Sequence, residues 1–290
     1  MPAVRYEAPT SIADAVRLMQ ADPGARILAG GTDLLIQFRA GVRQPSAFVD
    51  VKRIPELGEI RVDENSARIG AGVAAAAICE HPVIARWWPG IVEATNLIGS
   101  TQIQGRATLG GNLCNASPAA DGTCSLIVNR AVCVIAGPGG ERRVSVDEFC
   151  ASPGRTVLGR GEILVAVELR RPEPGTSDAY LRLIPRSEMD IAVAGAAVSV
   201  TVDGSGRCSA ASVAVGAVAP TALLVPAAAD ALIGSEIDDE ASERAADAAR
   251  AVARPIDDRR GTIAYRRHVV GILVKRAAAL AAERARGQRA

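Results

Sequence analysis

The stretch Thr108-Leu-Gly-Gly-Asn-Leu-Cys-Asn-Ala-Ser-Pro-Ala-Ala-Asp121 decides how this chain is read. An upstream counterpart, Ala29-Gly-Gly-Thr-Asp-Leu-Leu35, repeats its plan: a Gly-Gly pair, small hydrogen-bonding neighbours and a segment able to start a helix. Glycine pairs bring backbone N–H groups close to an anion, because no Cβ intervenes and positive φ is open to them. A following helix adds the positive end of its dipole. Gly30-Gly31-Thr32-Asp33 fits this chemistry, and so does Gly110-Gly111-Asn112 with Thr108 as a further donor. Neither motif is Gly-x-Gly-x-x-Gly, and neither carries Gly-Lys-[Ser/Thr], so a Rossmann nicotinamide site and a P-loop are both disfavoured. Each pair alone reads equally well as turn punctuation. Two together suggest a diphosphate gripped from both sides, and so a dinucleotide cofactor. The second motif gathers Thr108, Asn112, Asn115, Ser117 and Asp121, more polar groups than a turn requires. Asp121 reads either as an acceptor for a polyol or as an ordinary cap on the helix behind it.

Working outward, Ser11 to Gln20 predicts an amphipathic helix, with Ile12, Ala15, Val16 and Met19 on one face. Arg26 to Ala29 predicts a strand entering the first glycine pair. Thr32 is then expected to cap a helix through Leu34, Leu35 and Phe38 to Gly41. Phe48 to Val51 is the next strand, which makes a small α/β unit. Strands are expected at Glu59–Val62 and Ala67–Ile69, a helical region from Val73 to about Ile98, and a helix over Ala119–Asn129. A hairpin joins Ala131–Ala136 to Arg142–Val146, and Ile163–Leu169 is a further strand. The Pro/Gly-rich run Arg171-Pro-Glu-Pro-Gly175 marks a domain boundary. Beyond it a long hairpin, Ile191–Val202 with Cys208–Val218, precedes helices over Thr221–Ile233, Asp238–Val252 and Gly261 to about Arg284. A sheet with helices gathered after it is an α+β arrangement.

Composition narrows the function. Lys and Arg total 33 against 32 Asp and Glu, so no basic surplus points to nucleic acid or an anionic membrane. No apolar run is long enough to span a bilayer and no secretory signal is visible, so a cytoplasmic protein is expected. The cysteines at 79, 114, 124, 133, 150 and 208 form no Cys-x-x-Cys pair, and only His81 and His268 could assist them. No metal site is expected; the thiols read as reduced and mostly buried. Trp87-Trp88 and both histidines read as structural.

At this point the motifs resemble a known family, the flavin-binding medium subunits of the molybdenum hydroxylases. These belong to the superfamily of xanthine dehydrogenase, carbon monoxide dehydrogenase, nicotinate dehydrogenase and 4-hydroxybenzoyl-CoA reductase. The resemblance rests on Leu28-Ala-Gly-Gly-Thr-Asp-Leu-Leu35, Thr108-Leu-Gly-Gly-Asn112, Ser117-Pro-Ala-Ala-Asp121, Gly161-Glu-Ile-Leu164, Arg186-Ser-Glu-Met-Asp-Ile191, and Tyr265-Arg-Arg-His268 to Leu273. It implies an α+β chain: a vanillyl-alcohol-oxidase (PCMH)-type FAD-binding domain over residues 1–174, built from α/β subdomains of about 1–54 and 55–174. A C-terminal domain of antiparallel sheet and three helices, of the CO dehydrogenase flavoprotein type, would fill 175–290. The FAD diphosphate would lie between Leu28, Ala29, Gly30, Gly31, Thr32, Asp33, Leu34 and Leu35 on one side and Thr108, Leu109, Gly110, Gly111 and Asn112 on the other. Further contacts implied are Ile98, Asp121 on the polyol, Leu164, Arg182 near the isoalloxazine and Ile191 over one ring face.

The same resemblance implies that FAD is the catalytic group and that no side chain here acts as an acid, base or nucleophile. A large molybdopterin subunit would hydroxylate the substrate, and a small subunit with two [2Fe-2S] clusters would relay electrons to this flavin, in a dimer of heterotrimers. The acceptor would be NAD, a quinone, oxygen or another molecule. Two departures stand out. Carbon monoxide dehydrogenase subunits resemble Ala-Gly-Gly-His-Ser where this chain has Thr32-Asp33, and the cysteine-rich insertion of the 4-hydroxybenzoyl-CoA reductase subunit has no counterpart in 121–170. A self-contained flavoenzyme and a flavinless scaffold are the competing readings.

Overall fold

The computed structural model describes residues 4–287. Three larger sheets and one two-stranded sheet organise it around three apolar cores.

The first sheet is wholly parallel, in the order β1-β3-β2. It comprises β1 (Arg5–Glu7), β2 (Arg26–Leu28) and β3 (Ala47–Asp50), with α1 (Ile12–Ala21) and α2 (Leu34–Arg39) in the crossovers. Ser11 caps α1 by accepting from the Asp14 amide at 3.1 Å, as its spacing predicts. Strand β1 was not expected from sequence. Its three residues are largely exposed and carry no alternation, and only pairing with β3 makes them a strand.

The second sheet runs β4-β5-β10-β6-β7 and is antiparallel. Its first strands are β4 (Ile60–Val62) and β5 (Ser66–Gly70). Six helices follow: α3 (Ala75–Glu80), α4 (Pro82–Trp87), α5 (Pro89–Asn96), α6 (Thr101–Gln104), α7 (Leu109–Asn115) and α8 (Asp121–Val128). The single helical region expected over 73–98 is therefore three helices. Pro82 and Pro89 each stand at a helix start, where a missing N–H costs nothing and a preset φ helps. After them come β6 (Val132–Gly137), β7 (Gly140–Ser145), α9 (Val146–Phe149), the small hairpin β8 (Cys150–Ser152) with β9 (Arg155–Thr156), and β10 (Ile163–Arg170). One face of this sheet, through Ile69, Val167 and Ile135, packs on Trp88, Ile91, Leu113 and Phe149 of the helical layer. The other, through Val134, Val165 and Ala166, packs on Ala15, Val49 and Ile54 of the first unit.

The third sheet is antiparallel, in the order β11-β12-β13-β14: β11 (Thr176–Leu183), β12 (Ala194–Val202), β13 (Cys208–Gly216) and β14 (Leu223–Leu224). Helices α10 (Pro226–Leu232), α11 (Asp239–Val252) and α12 (Ile263–Gly287) follow. Residues 221–233 were expected to be helical throughout. They begin as an edge strand and turn helical only at Pro226. The core here is almost entirely Ala and Val, which lets α12 lie close on β11 and β12. Helix α8, buried at all eight positions, packs on this sheet from the other side and joins it to the helical layer. No helix among the described residues is long and apolar enough to cross a membrane.

Candidate cofactor site

The two glycine motifs meet through their backbones. A Cβ on Gly30 would sit 1.9 Å from the Arg106 carbonyl oxygen, so the first motif lies directly against the segment entering the second. Gly31 adopts φ +77°, a left-handed turn that lets the Leu35 amide bond back to the Gly31 carbonyl at 3.0 Å. That turn corrects the expected role of Thr32. The helix starts at Leu34 with Asp33 in the cap position and no side-chain cap bond, because the backbone already closes the first turn. Among the described residues neither the Thr32 hydroxyl nor the Asp33 carboxylate has a hydrogen-bond partner. Sequence reasoning missed Lys52, whose ammonium donates to the Ala29 carbonyl at 3.2 Å and pairs with Asp50 at 2.7 Å. A single lysine outside both motifs gives no signal in the sequence.

The second motif is a helix rather than a loop. Thr108 is the N-cap of α7: its hydroxyl accepts from the Gly111 amide at 2.9 Å, and its carbonyl from Asn112 at the same distance. Gly110 and Gly111 therefore fall in a first helical turn, where the leading N–H groups, those of Leu109 and Gly110, have no helical acceptor. Asn112 accepts from the Gly122 amide at 3.4 Å and so holds the start of α8. Gln37 of α2 donates to Asn115 at 3.1 Å, which ties the first unit to the second beside the cradle.

Asp121 is the first residue of α8 but does not cap it. Its carboxylate turns to β11, accepting from the Tyr180 hydroxyl at 2.8 Å and the Arg182 guanidinium at 2.6 Å. Burial pushes Asp121 up to about 6, against the downward pull of Arg182 and Tyr180. Tyr180, whose partner is 59 positions away, is raised by burial and by that carboxylate. The structure thus gathers both motifs, Asp121 and Arg182. Ile98 lies half-buried in the turn after α5. Leu164 is buried in β10 beside a bulge. Ile191 stands 52% exposed in the irregular segment between β11 and β12, next to Asp190, which pairs with Arg260 at 3.3 Å.

Residues 2–172 match the family described as the FAD binding domain in molybdopterin dehydrogenase. The chain belongs to that family. Residues 179–281 match the CO dehydrogenase flavoprotein C-terminal domain. The carbon monoxide dehydrogenase medium chain of Hydrogenophaga pseudoflava is 35% identical over 277 residues, covering 95% of this chain and 96% of the relative. The nicotinate dehydrogenase FAD-subunit of Eubacterium barkeri is 32% identical, covering 82% of each chain. Among solved structures, carbon monoxide dehydrogenase from Hydrogenophaga pseudoflava superposes with TM-score 0.93 at 36% identity, over 98% of both chains. Quinoline 2-oxidoreductase from Pseudomonas putida 86 gives 0.91 at 31%, again over 98% of both.

The residues fit the flavin dinucleotide this family binds. Close backbone approach at Gly30, the first turn of α7 at Gly110 and Gly111, and a Thr32 hydroxyl without a partner among the described residues suit a diphosphate. Arg182 adds a buried Nε with no partner among the described residues, beside Asp121. A surface groove of about 540 Å³, lined by Arg61, Arg68, Arg143 and Glu168, lies elsewhere, on the second sheet. All six cysteines are free, and burial raises each thiol well above its ordinary range, so none is a reactive thiolate.

Proposed function

We propose that this chain is the FAD-carrying electron-transfer subunit of a heteromeric molybdenum-containing hydroxylase or dehydrogenase. It would take electrons from [2Fe-2S] clusters of a small partner subunit and hand them to an external acceptor. A large molybdopterin subunit would oxidise the organic substrate, in a cytoplasmic dimer of heterotrimers. The observation that carries this reading is the backbone contact of Gly30 with Arg106, which brings the first glycine motif against the segment leading into the second.

Bound FAD supplies the ability to exchange electrons singly on one side and in pairs on the other. The chain's own residues bind and orient it. Leu28–Leu35 and Thr108–Asn112 line the diphosphate, with the Gly110 amide, Thr32 and Asn112 as donors. Asp121 accepts from the polyol, and Arg182 supplies a fixed positive charge toward the ring system. Ile98, Leu164 and Ile191 complete the ring's surroundings by resemblance to the family. The domains divide at Arg171–Gly175 on this reading. Nothing in the chain selects the substrate: relatives at 35%, 32% and 31% identity are named for carbon monoxide, nicotinate and nicotine.

Purifying the chain alone tests this. One FAD per chain, with no turnover of organic substrates until both partners are added, is the expected result. Turnover by the isolated chain would mean a self-contained oxidoreductase, and failure to bind FAD a scaffold.

A further inference from the structure

We propose that Tyr180 is a positioning residue for the FAD site: its hydroxyl and the Arg182 guanidinium hold the Asp121 carboxylate from the C-terminal sheet, so that one domain completes the cofactor site of the other. The inference rests on the proposed binding of FAD beside the glycine motifs.

Tyr180 and Arg182 are two residues apart on β11 and so share one face of the strand. Both reach the same carboxylate, one to each oxygen. The neighbouring strand is shaped to allow it. Gly195 pairs with Arg182 in the β11–β12 register, and a Cβ there would lie 2.7 Å from the Tyr180 hydroxyl. The carboxylate is in turn joined to the glycine motif. Gly122, the next residue, donates to Asn112, and a Cβ on it would meet the Leu109 side chain at 2.4 Å. Arg182 Nε is buried with no acceptor among the described residues, a donor available beside the Asp121 carboxylate.

The titratable and charged groups facing Asp121 are Tyr180 and Arg182 from β11 and Cys124 from its own helix; Asn112, Gly195 and Gly216 on the other packed elements are uncharged. The Tyr180 hydroxyl lowers the Asp121 pKa and helps keep it anionic. An anion accepts from polyol hydroxyls, so FAD affinity of the wild-type chain falls as pH drops through Asp121's range near 6.

The test is FAD titration of the full chain, followed by flavin fluorescence between pH 5 and 8. Tyr180→Phe removes one oxygen and should weaken FAD about tenfold at pH 7, with the acid limb of the affinity profile displaced upward. Gly195→Ala, which crowds the hydroxyl without removing it, should act in the same direction and serves if the first variant fails to fold. Asp121→Asn should abolish the limb. FAD affinity within twofold of wild type and an unmoved limb in Tyr180→Phe would overturn the inference while leaving FAD binding intact, even if the variant's melting temperature fell. Failure of the wild-type chain itself to bind FAD would overturn the cofactor reading instead.

Discussion

Gly30 and Thr32 sit two residues apart in one motif, and their substitutions separate folding from binding. The missing side chain of Gly30 makes room for the Arg106 carbonyl, 1.9 Å from where a Cβ would be. Gly30→Ala should therefore destabilise the flavin-free chain by about 2 kcal/mol or more, through overpacking against backbone that cannot rotate away. Urea unfolding of the apoprotein measures it, and an unchanged midpoint would mean that the two segments separate freely. The Thr32 hydroxyl has no partner among the described residues, so Thr32→Ala should leave that midpoint alone and weaken FAD roughly fivefold. Isothermal titration decides it. The sequence made the glycine pairs legible and placed them on one ligand, but it attributed Gly30 to the approach of a phosphate. Its nearest neighbour is a peptide carbonyl 76 positions on, which no local pattern reveals. The partner of Tyr180 is just as remote in sequence, 59 positions away, so no local pattern names it.

At the scale of elements, α7 shows how a turn signal and a helix signal compete. Gly-Gly reads as a break, yet Thr108 stands where an N-cap belongs and bonds to the amide three residues on. The cap wins because Leu109 and Leu113, both buried, anchor the helix in the core. Thr108→Ala should cost about 1 kcal/mol of stability in the apoprotein. It should also weaken FAD, because the leading amides of α7 lose their fixed direction. Hydrogen exchange at Gly111 reports the fraying directly, and unaltered protection there would exclude the cap as the organiser of this turn. Other elements were legible in proportion to how local their causes are. Helices α1 and α11 follow from apolar spacing with Ser11 and Asp238 as caps. Strand β11 did not, because Ser177 and Asp178 are buried polar residues, and the partners of Asp178 come from distant elements. Asp178 spoils the alternation that would otherwise mark the strand.

That same carboxylate governs how the whole molecule responds to pH. Asp178 is 1% exposed where three regions meet: it accepts from the Gly90 amide of α5 at 2.9 Å and from Asn129 behind α8 at 2.6 Å. Arg284 of α12 donates to the Asp178 carbonyl at 2.9 Å and pairs with Glu93. Burial pushes the Asp178 carboxyl up to about 6; the Gly90 and Asn129 bonds and Arg284 oppose this, while Glu93 adds to it. In the unfolded chain the same group titrates near 3.8. Below pH 4 both states are protonated and the group has no effect on the pH dependence. Between 4 and 6 the folded chain holds a proton that the unfolded chain has lost, so stability falls as pH rises. Above 6 the full cost of a buried anion is present, on the order of 3 kcal/mol. Surface carboxylates work in the opposite sense: Glu243, held down to about 2 by Lys275 and Arg250, loses its contribution as pH drops below the ordinary range. The two trends overlap in wild type, and a substitution separates them. The stability difference between wild type and Asp178→Asn, measured by urea unfolding at pH 4, 5, 6 and 7, should move steadily in the variant's favour up to pH 6 and then level off. A difference that stays constant across that range would show that Asp178 is already ionised in the folded chain at pH 4, and that the junction between α5, α8 and β11 is a fully compensated charge.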